Sequence, residues 1–141
     1  MPIPNFLLDA CVVLAYLDDE IGAEIVSDLF EQASMNKVSL YMNAVNLIEV
    51  YYDRIRAVGA EEADATIQNI YNDFPVTVIE TITPKISREA AYYKSSGKMS
   101  FADSILIATA KCINAVVVSC DHAELESVEK QGLIQFLWIR P

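Results

Sequence analysis

Phe6-Leu7-Leu8-Asp9-Ala10-Cys11-Val12-Val13-Leu14 is the stretch on which the reading of the fold turns. Residues 5–8 read as a short buried strand and residues 11–17 as an apolar helix, so Asp9 marks a strand-to-helix junction. An ionised carboxylate in so apolar a run is costly unless it is paired or bound to a cation. Capping the helix is its other use. The same alternation runs outward to the C-terminus. Ile21, Ile25, Leu29 and Ala33 repeat at helical spacing and predict a helix over 21–33, and Asn36-Lys37 signals a turn into a strand over 38–41. Asn43 caps a helix to about Val58, where Gly59 stops it; a further helix spans 61–73. Phe74-Pro75 ends that helix before a β-branched strand over 76–79. Thr83-Pro84 opens the next helix, which ends in the polar loop Ser95-Ser96-Gly97-Lys98. Residues 101–113 read as a helix, Val116–Val118 as a doubly buried strand, 122–131 as a short helix and 134–138 as a closing strand. Strands separated by helices predict an α/β fold of three layers, a central, mostly parallel sheet flanked by helices. In such sheets ligands bind beyond the carboxyl ends of the strands.

The chain has 141 residues, 53% apolar and 21% charged, with no repeat or long linker, and is expected to form a single domain over 1–141. No apolar run approaches the ~18 residues that cross a bilayer. The start, Met1-Pro2-Ile3-Pro4-Asn5, lacks a basic signal-peptide region, so a cytoplasmic location with no membrane is expected. Three cysteines (Cys11, Cys112, Cys120) and one histidine, without a CxxC, argue against a zinc site; the thiols are expected to be buried and reduced. The formal charge of −10 opposes passive binding to nucleic acid, whose affinity rests on Lys and Arg meeting phosphates. Action on RNA then requires acids clustered around cations and the few basic residues beside them. An acidic surface also suits a basic protein partner.

Four acids stand where the fold would bring them together. Asp9 and Asp121 follow strands, Asp103 begins a helix, and Glu49 lies less than two turns into one. Helix starts and strand carboxyl ends face the same rim. Each acid has a second reading: Asp9 and Asp121 as helix caps, Glu49 as part of a solvated face with Asp53, and Asp103 as the last member of Ser100-x-x-Asp103, which resembles a capping box. Glu124, three residues past Asp121, is either the cap's partner or a fifth acid. Two charges about 4 Å apart repel by roughly 4 kcal/mol at an effective dielectric near 20, and divalent cations reverse that sign. Oxygen ligands without Cys or His suit Mg²⁺ or Mn²⁺, and the chemistry that follows is phosphodiester hydrolysis.

Four segments resemble the motifs of PIN domains: Leu8-Asp9-Ala10-Cys11-Val12-Val13-Leu14-Ala15-Tyr16-Leu17, Asn46-Leu47-Ile48-Glu49-Val50-Tyr51-Tyr52, Lys98 to Ala110 around Asp103, and Val116 to Leu125 around Asp121. The likeness spans nearly the whole chain and is nearest to the VapC-type toxins of toxin–antitoxin pairs. It implies a Mg²⁺-dependent endoribonuclease, usually a homodimer, inhibited by a cognate antitoxin whose tail enters the active-site groove. It implies Asp9, Glu49, Asp103 and Asp121 as metal ligands, Ser119 as a hydrogen-bonding supporter and Glu124 as an accessory acid. One position departs from the pattern: two residues past the first Asp, where Ser, Thr, Asn or Asp is common, stands Cys11. A thiol is a poor partner for Mg²⁺ or its water.

Lys85, Arg88, Lys94 and Lys98 stand against one acid, Glu89, in a segment leading to Asp103. They form either a cationic helix end or a rim that contacts RNA phosphates, for which Lys98, Arg88 and Lys94 are the candidates. Tyr92 and Tyr93 read as packing or as base-stacking residues. His122 reads as a surface cap residue or a general base. Tyr51, Tyr52, Ile55 and Val58 read as core, as a dimer face or as a seat for an antitoxin helix. A phosphate-signalling receiver domain is excluded because Asp18-Asp19 lies too far past a strand end and no lysine follows Val116–Val118; a phosphatase of the Asp-x-Asp type is excluded by Cys11. A PIN nuclease of RNA maturation without an antitoxin, and a PIN-fold binding module, remain as alternatives.

Overall fold

Leu7 and Leu8 point to opposite faces of β1 (Asn5–Leu8), and each enters a different hydrophobic cluster. Val117 and Val118 of β4 (Val116–Ser119) divide in the same way, because β1 and β4 are parallel with Leu7 opposite Val117 and Leu8 opposite Val118. Both strands are therefore covered on both sides, which is why they read as continuous apolar runs. The computed structural model describes residues 2–96 and 98–141; Met1 and Gly97, the latter in the loop expected over 95–98, lie outside the described residues.

The other strands are β2 (Ser39–Asn43), β3 (Thr77–Ile79) and β5 (Phe136–Trp138), and the sheet order is β3-β2-β1-β4-β5 with every pairing parallel. One face is covered by α1 (Ala10–Leu17), α2 (Ala23–Ser34), α3 (Ala44–Val58) and α4 (Ala60–Asp73), through residues such as Val12, Val26, Val50 and Ile70. The other is covered by α6 (Phe101–Ile113) and α7 (His122–Lys130), through Leu106, Ile107, Leu125 and Val128. The helix α5 (Pro84–Ser95) packs outside α6 through Ile86, Ala90, Ile105 and Ala108. This is the three-layer α/β arrangement expected, with the sheet wholly parallel among the described residues.

Element ends differ from the sequence reading where distant contacts decide them. Ile21 has the spacing of a helical residue, yet it is 74% exposed and α2 starts only at Ala23. Gly22 holds φ +99° at that start, and a Cβ on it would stand 2.5 Å from the carbonyl oxygen of Ile139. Strand β2 runs on to Asn43, whose side chain turns the chain into α3 by accepting from Val45 N–H at 2.8 Å. Asn114, at φ 52°, ends α6 in the left-handed region. Among the described residues no helix is long and apolar enough to cross a membrane.

Candidate active site

The strand order places a topological switch point beside β1: the chain winds outward through β2 and β3 on one side, then crosses to β4 and β5 on the other. Connections leave β1 and β4 in opposite directions, which opens a crevice at their carboxyl ends. Asp9 follows β1 there, and Asp121 stands two residues past β4. Helices α3 and α6 begin on the same rim and bring Glu49 and Asp103. The four acids, with Asp53 and Glu124, line one cleft of about 280 Å³, together with Cys11, Leu14, Tyr52 and Ser100.

Asp9 is 5% exposed. Its Oδ1 accepts from Ala10 N–H at 2.8 Å, capping α1, and its Oδ2 accepts from the Ser119 hydroxyl at 2.8 Å. Ser119 is fully buried, and its Oγ in turn accepts from Asp121 N–H at 3.1 Å. One hydroxyl thus joins the first acid to the backbone of the last. Burial pushes the Asp9 carboxyl up to about 7, with Asp103 and Glu49 adding repulsion and the Ser119 bond opposing it. Burial likewise raises Asp103 to about 6, with Asp121, Glu124 and Glu49 contributing and Ser100 opposing. Ser100 caps α6 by accepting from Asp103 N–H at 3.1 Å. Asp121 caps α7, accepting from Glu124 N–H at 3.3 Å. For Asp9 and Asp121 the cap and the place in the cleft are two properties of one side chain.

Asn46 did not stand out in the sequence. It is fully buried one helical turn before Glu49, donates from Nδ2 to Glu49 Oε1 at 3.2 Å, and leaves Oδ1 with no partner among the described residues. Its signal was an amide three residues before an acid on an apolar helix. Arg54 is a second such residue: it forks onto Asp18 with two bonds of 2.9 Å and reaches Asp53 at 3.1 Å, offsetting one charge at the cleft edge.

The donor set is carboxylate oxygen throughout, which suits a hard divalent cation. Among the described residues no three His, Cys, Asp or Glu side chains are gathered closely enough to hold an ion between them.

The basic candidates stand apart from the cleft. Lys98 and Arg88 are exposed, and neither lines it. Lys94 donates to Met99 carbonyl at 2.9 Å and borders an apolar groove containing Val45 and Phe101. His122 bonds Arg140 carbonyl at 2.9 Å and stacks on Trp138 at 4.0 Å, a structural use of the ring. Tyr93 is core, whereas Tyr92 is 74% exposed. The thiols also differ from expectation: Cys11 and Cys120 are paired as a disulfide, and Cys112 is free and half-buried. Their separation of 109 residues hid that pairing.

Fold and rim chemistry define a parallel α/β protein with a carboxylate-lined cleft at its topological switch point. Within that class the chain belongs to the PIN domain family, whose model matches residues 6–131. Among solved structures it is similar to VapBC-1 of nontypeable Haemophilus influenzae (TM-score 0.71, 17% identity, 96% of this chain and 98% of that one). It is also similar to VapBC2 of Rickettsia felis bound to a promoter DNA fragment (0.71, 11%, 95% and 98%). A toxin–antitoxin complex of Klebsiella pneumoniae is a third (0.64, 11%, 86% and 91%). No curated protein matches the chain in sequence.

Proposed function

We propose that this chain is a divalent-cation-dependent endoribonuclease and the toxin of a type II toxin–antitoxin pair. The observation that carries the reading is the Asp9–Ser119–Asp121 link, which fixes two acids of one cleft from opposite ends of the chain while Glu49 and Asp103 face the same space. Asp9, Glu49, Asp103 and Asp121 hold Mg²⁺ or Mn²⁺, Ser119 orients Asp9, and Glu124 is an accessory acid. When bound, the cation supplies Lewis acidity at the phosphodiester and offsets charge on the leaving oxygen. Burial at Asp9 and Asp103 keeps water's dielectric away and strengthens that interaction. Lys98 and Arg88 contact RNA phosphates, whereas Lys94, bonded to the Met99 carbonyl, serves the fold. The whole chain acts as one nuclease domain, works as a homodimer and is held inactive by a cognate antitoxin. The likeness to structures titled VapBC and toxin–antitoxin complex supports the pairing.

The test is cleavage of total RNA with and without Mg²⁺, repeated with Asp9→Asn and Asp103→Asn. Each substitution is expected to abolish cation-stimulated cleavage, with circular dichroism showing the fold intact. A variant that cleaves normally rejects the role given to that residue. Expression alone is expected to arrest growth, and co-expression of a small neighbouring reading frame to relieve it. Unimpeded growth with active nuclease rejects the toxin and leaves an RNA-processing enzyme.

A further inference from the structure

Cys11 and Cys120 have no part in the function proposed above, yet both adjoin its acids. Cys11 lies in the first turn of α1, two residues past Asp9, and Cys120 immediately precedes Asp121. Their Cα atoms are 6.3 Å apart and their sulfurs are joined; that span lies within the roughly 4.4–6.8 Å that disulfides bridge. Both residues are half-buried and Cys11 lines the cleft, so a small molecule entering the cleft meets the Cys11 side of the pair. Cys112, on α6, is not part of the cleft lining.

We propose that Cys11 and Cys120 form a reversible dithiol–disulfide site in the wall of the acidic cleft, oxidised by small-molecule disulfides of the glutathione class, and that its state sets how tightly the cleft holds a divalent cation. In the oxidising step one protein sulfur attacks the small disulfide, whose S–S bond breaks as a mixed disulfide forms. The second protein sulfur displaces the remaining half. The protein gives up two S–H protons and two electrons and gains one S–S bond; the small disulfide takes them up as two thiols.

Two features tie the sulfur chemistry to the cation, and this coupling rests on the cation-site reading above. Cys11 Sγ stands 3.8 Å from Asp9 Oδ2 and 3.7 Å from Ser119 Oγ, so reduction places an S–H donor beside atoms a cation would need. The disulfide has no S–H, and Cys11 Sγ then only accepts, as from Cys120 N–H at 3.2 Å. The bridge also ties the segments bearing Asp9 and Asp121 across a cleft whose acids repel one another. Acids already held together lose less freedom on closing around an ion. Both effects favour tighter cation binding in the disulfide form.

The full chain is equilibrated with oxidised glutathione or with dithiothreitol, its free thiols are counted, and Mn²⁺ is titrated by calorimetry in each state. Oxidation is expected to lower the thiol count from three to one, reversibly, with peptide mapping joining Cys11 to Cys120. The oxidised form is expected to bind Mn²⁺ at least about fivefold more tightly, the lower end of typical coupling between sites. A chain carrying both Cys11→Ala and Cys120→Ala is expected to lose that difference. Three thiols remaining, a bridge through Cys112, or equal Mn²⁺ affinity in the two states overturns the proposal. Mn²⁺ binding in neither state overturns the cation-site reading and the coupling with it, while the thiol count still decides the redox site.

Discussion

At Asp9 the free energy of folding and the chemistry of the cleft meet in one carboxyl group. Unfolded, it titrates near its ordinary 3.8; folded, burial raises it to about 7. Between those values the folded chain holds a proton that the unfolded chain has released, so stability falls as pH rises across the window. The loss is complete above about pH 7 and amounts to about 4 kcal/mol for this group. Asp103, raised to about 6, acts with the same sign. In chelator, the melting temperature is therefore expected to fall from pH 5 to pH 7.5, and Asp9→Asn to flatten the fall; an unchanged slope in the variant assigns the effect elsewhere. Adding Mn²⁺ at pH 7.5 is expected to restore stability, because the cation replaces the proton. Asn46 extends the same reasoning one bond outward. Its amide holds one oxygen of Glu49, and loss of such a supporting contact typically costs ten- to a hundredfold in metal affinity. Asn46→Ala is thus expected to weaken Mn²⁺ binding about tenfold by calorimetry, and unchanged affinity would reject a positioning role.

Helix starts carry the acids to the rim, so capping and function are linked at the level of elements. Ser100 satisfies the amide of Asp103 in the first turn of α6. Ser100→Ala is expected to cost about 1 kcal/mol in urea unfolding and to reduce activity further, since Asp103 rides on that turn. Ser100→Thr, which keeps the hydroxyl, is expected to recover both; activity that tracks stability alone would reduce the cap to a structural role. These starts were legible in the sequence because caps are local: Asn43, Thr83 and Ser100 each accept from an amide two or three residues ahead. The start of α2 was not, because it depends on the approach of Gly22 to Ile139 from the far end of the chain. The pairing of Cys11 with Cys120 was hidden for the same reason, being settled by tertiary packing; the bond from Asn46 to Glu49, three residues on, is local and was open to the sequence.

For the molecule as a whole, strand alternation and the carboxyl-end rule were enough to bring Asp9, Glu49, Asp103 and Asp121 into one cleft. Neither rule carries distances, and the repulsion among those carboxylates is a property of the assembled charge. The net charge of −10 works against RNA in the same way. A cation bound in the cleft, as proposed, would lower that barrier locally, and the exposed Lys98 and Arg88 lie on the segment leading to α6. Lys94 differs from them, because it is committed to Met99 carbonyl and serves the loop before α6. Lys98→Ala is therefore expected to weaken RNA binding and to lower the salt slope by about one, as for loss of one phosphate contact, with Mn²⁺ affinity unchanged. Measured by fluorescence anisotropy, RNA affinity of the unsubstituted chain is expected to rise with Mg²⁺ and to fall with NaCl of equal ionic strength. An affinity indifferent to Mg²⁺ would mean that RNA meets this protein on a surface remote from the acids, with the cleft's charge left unrelieved.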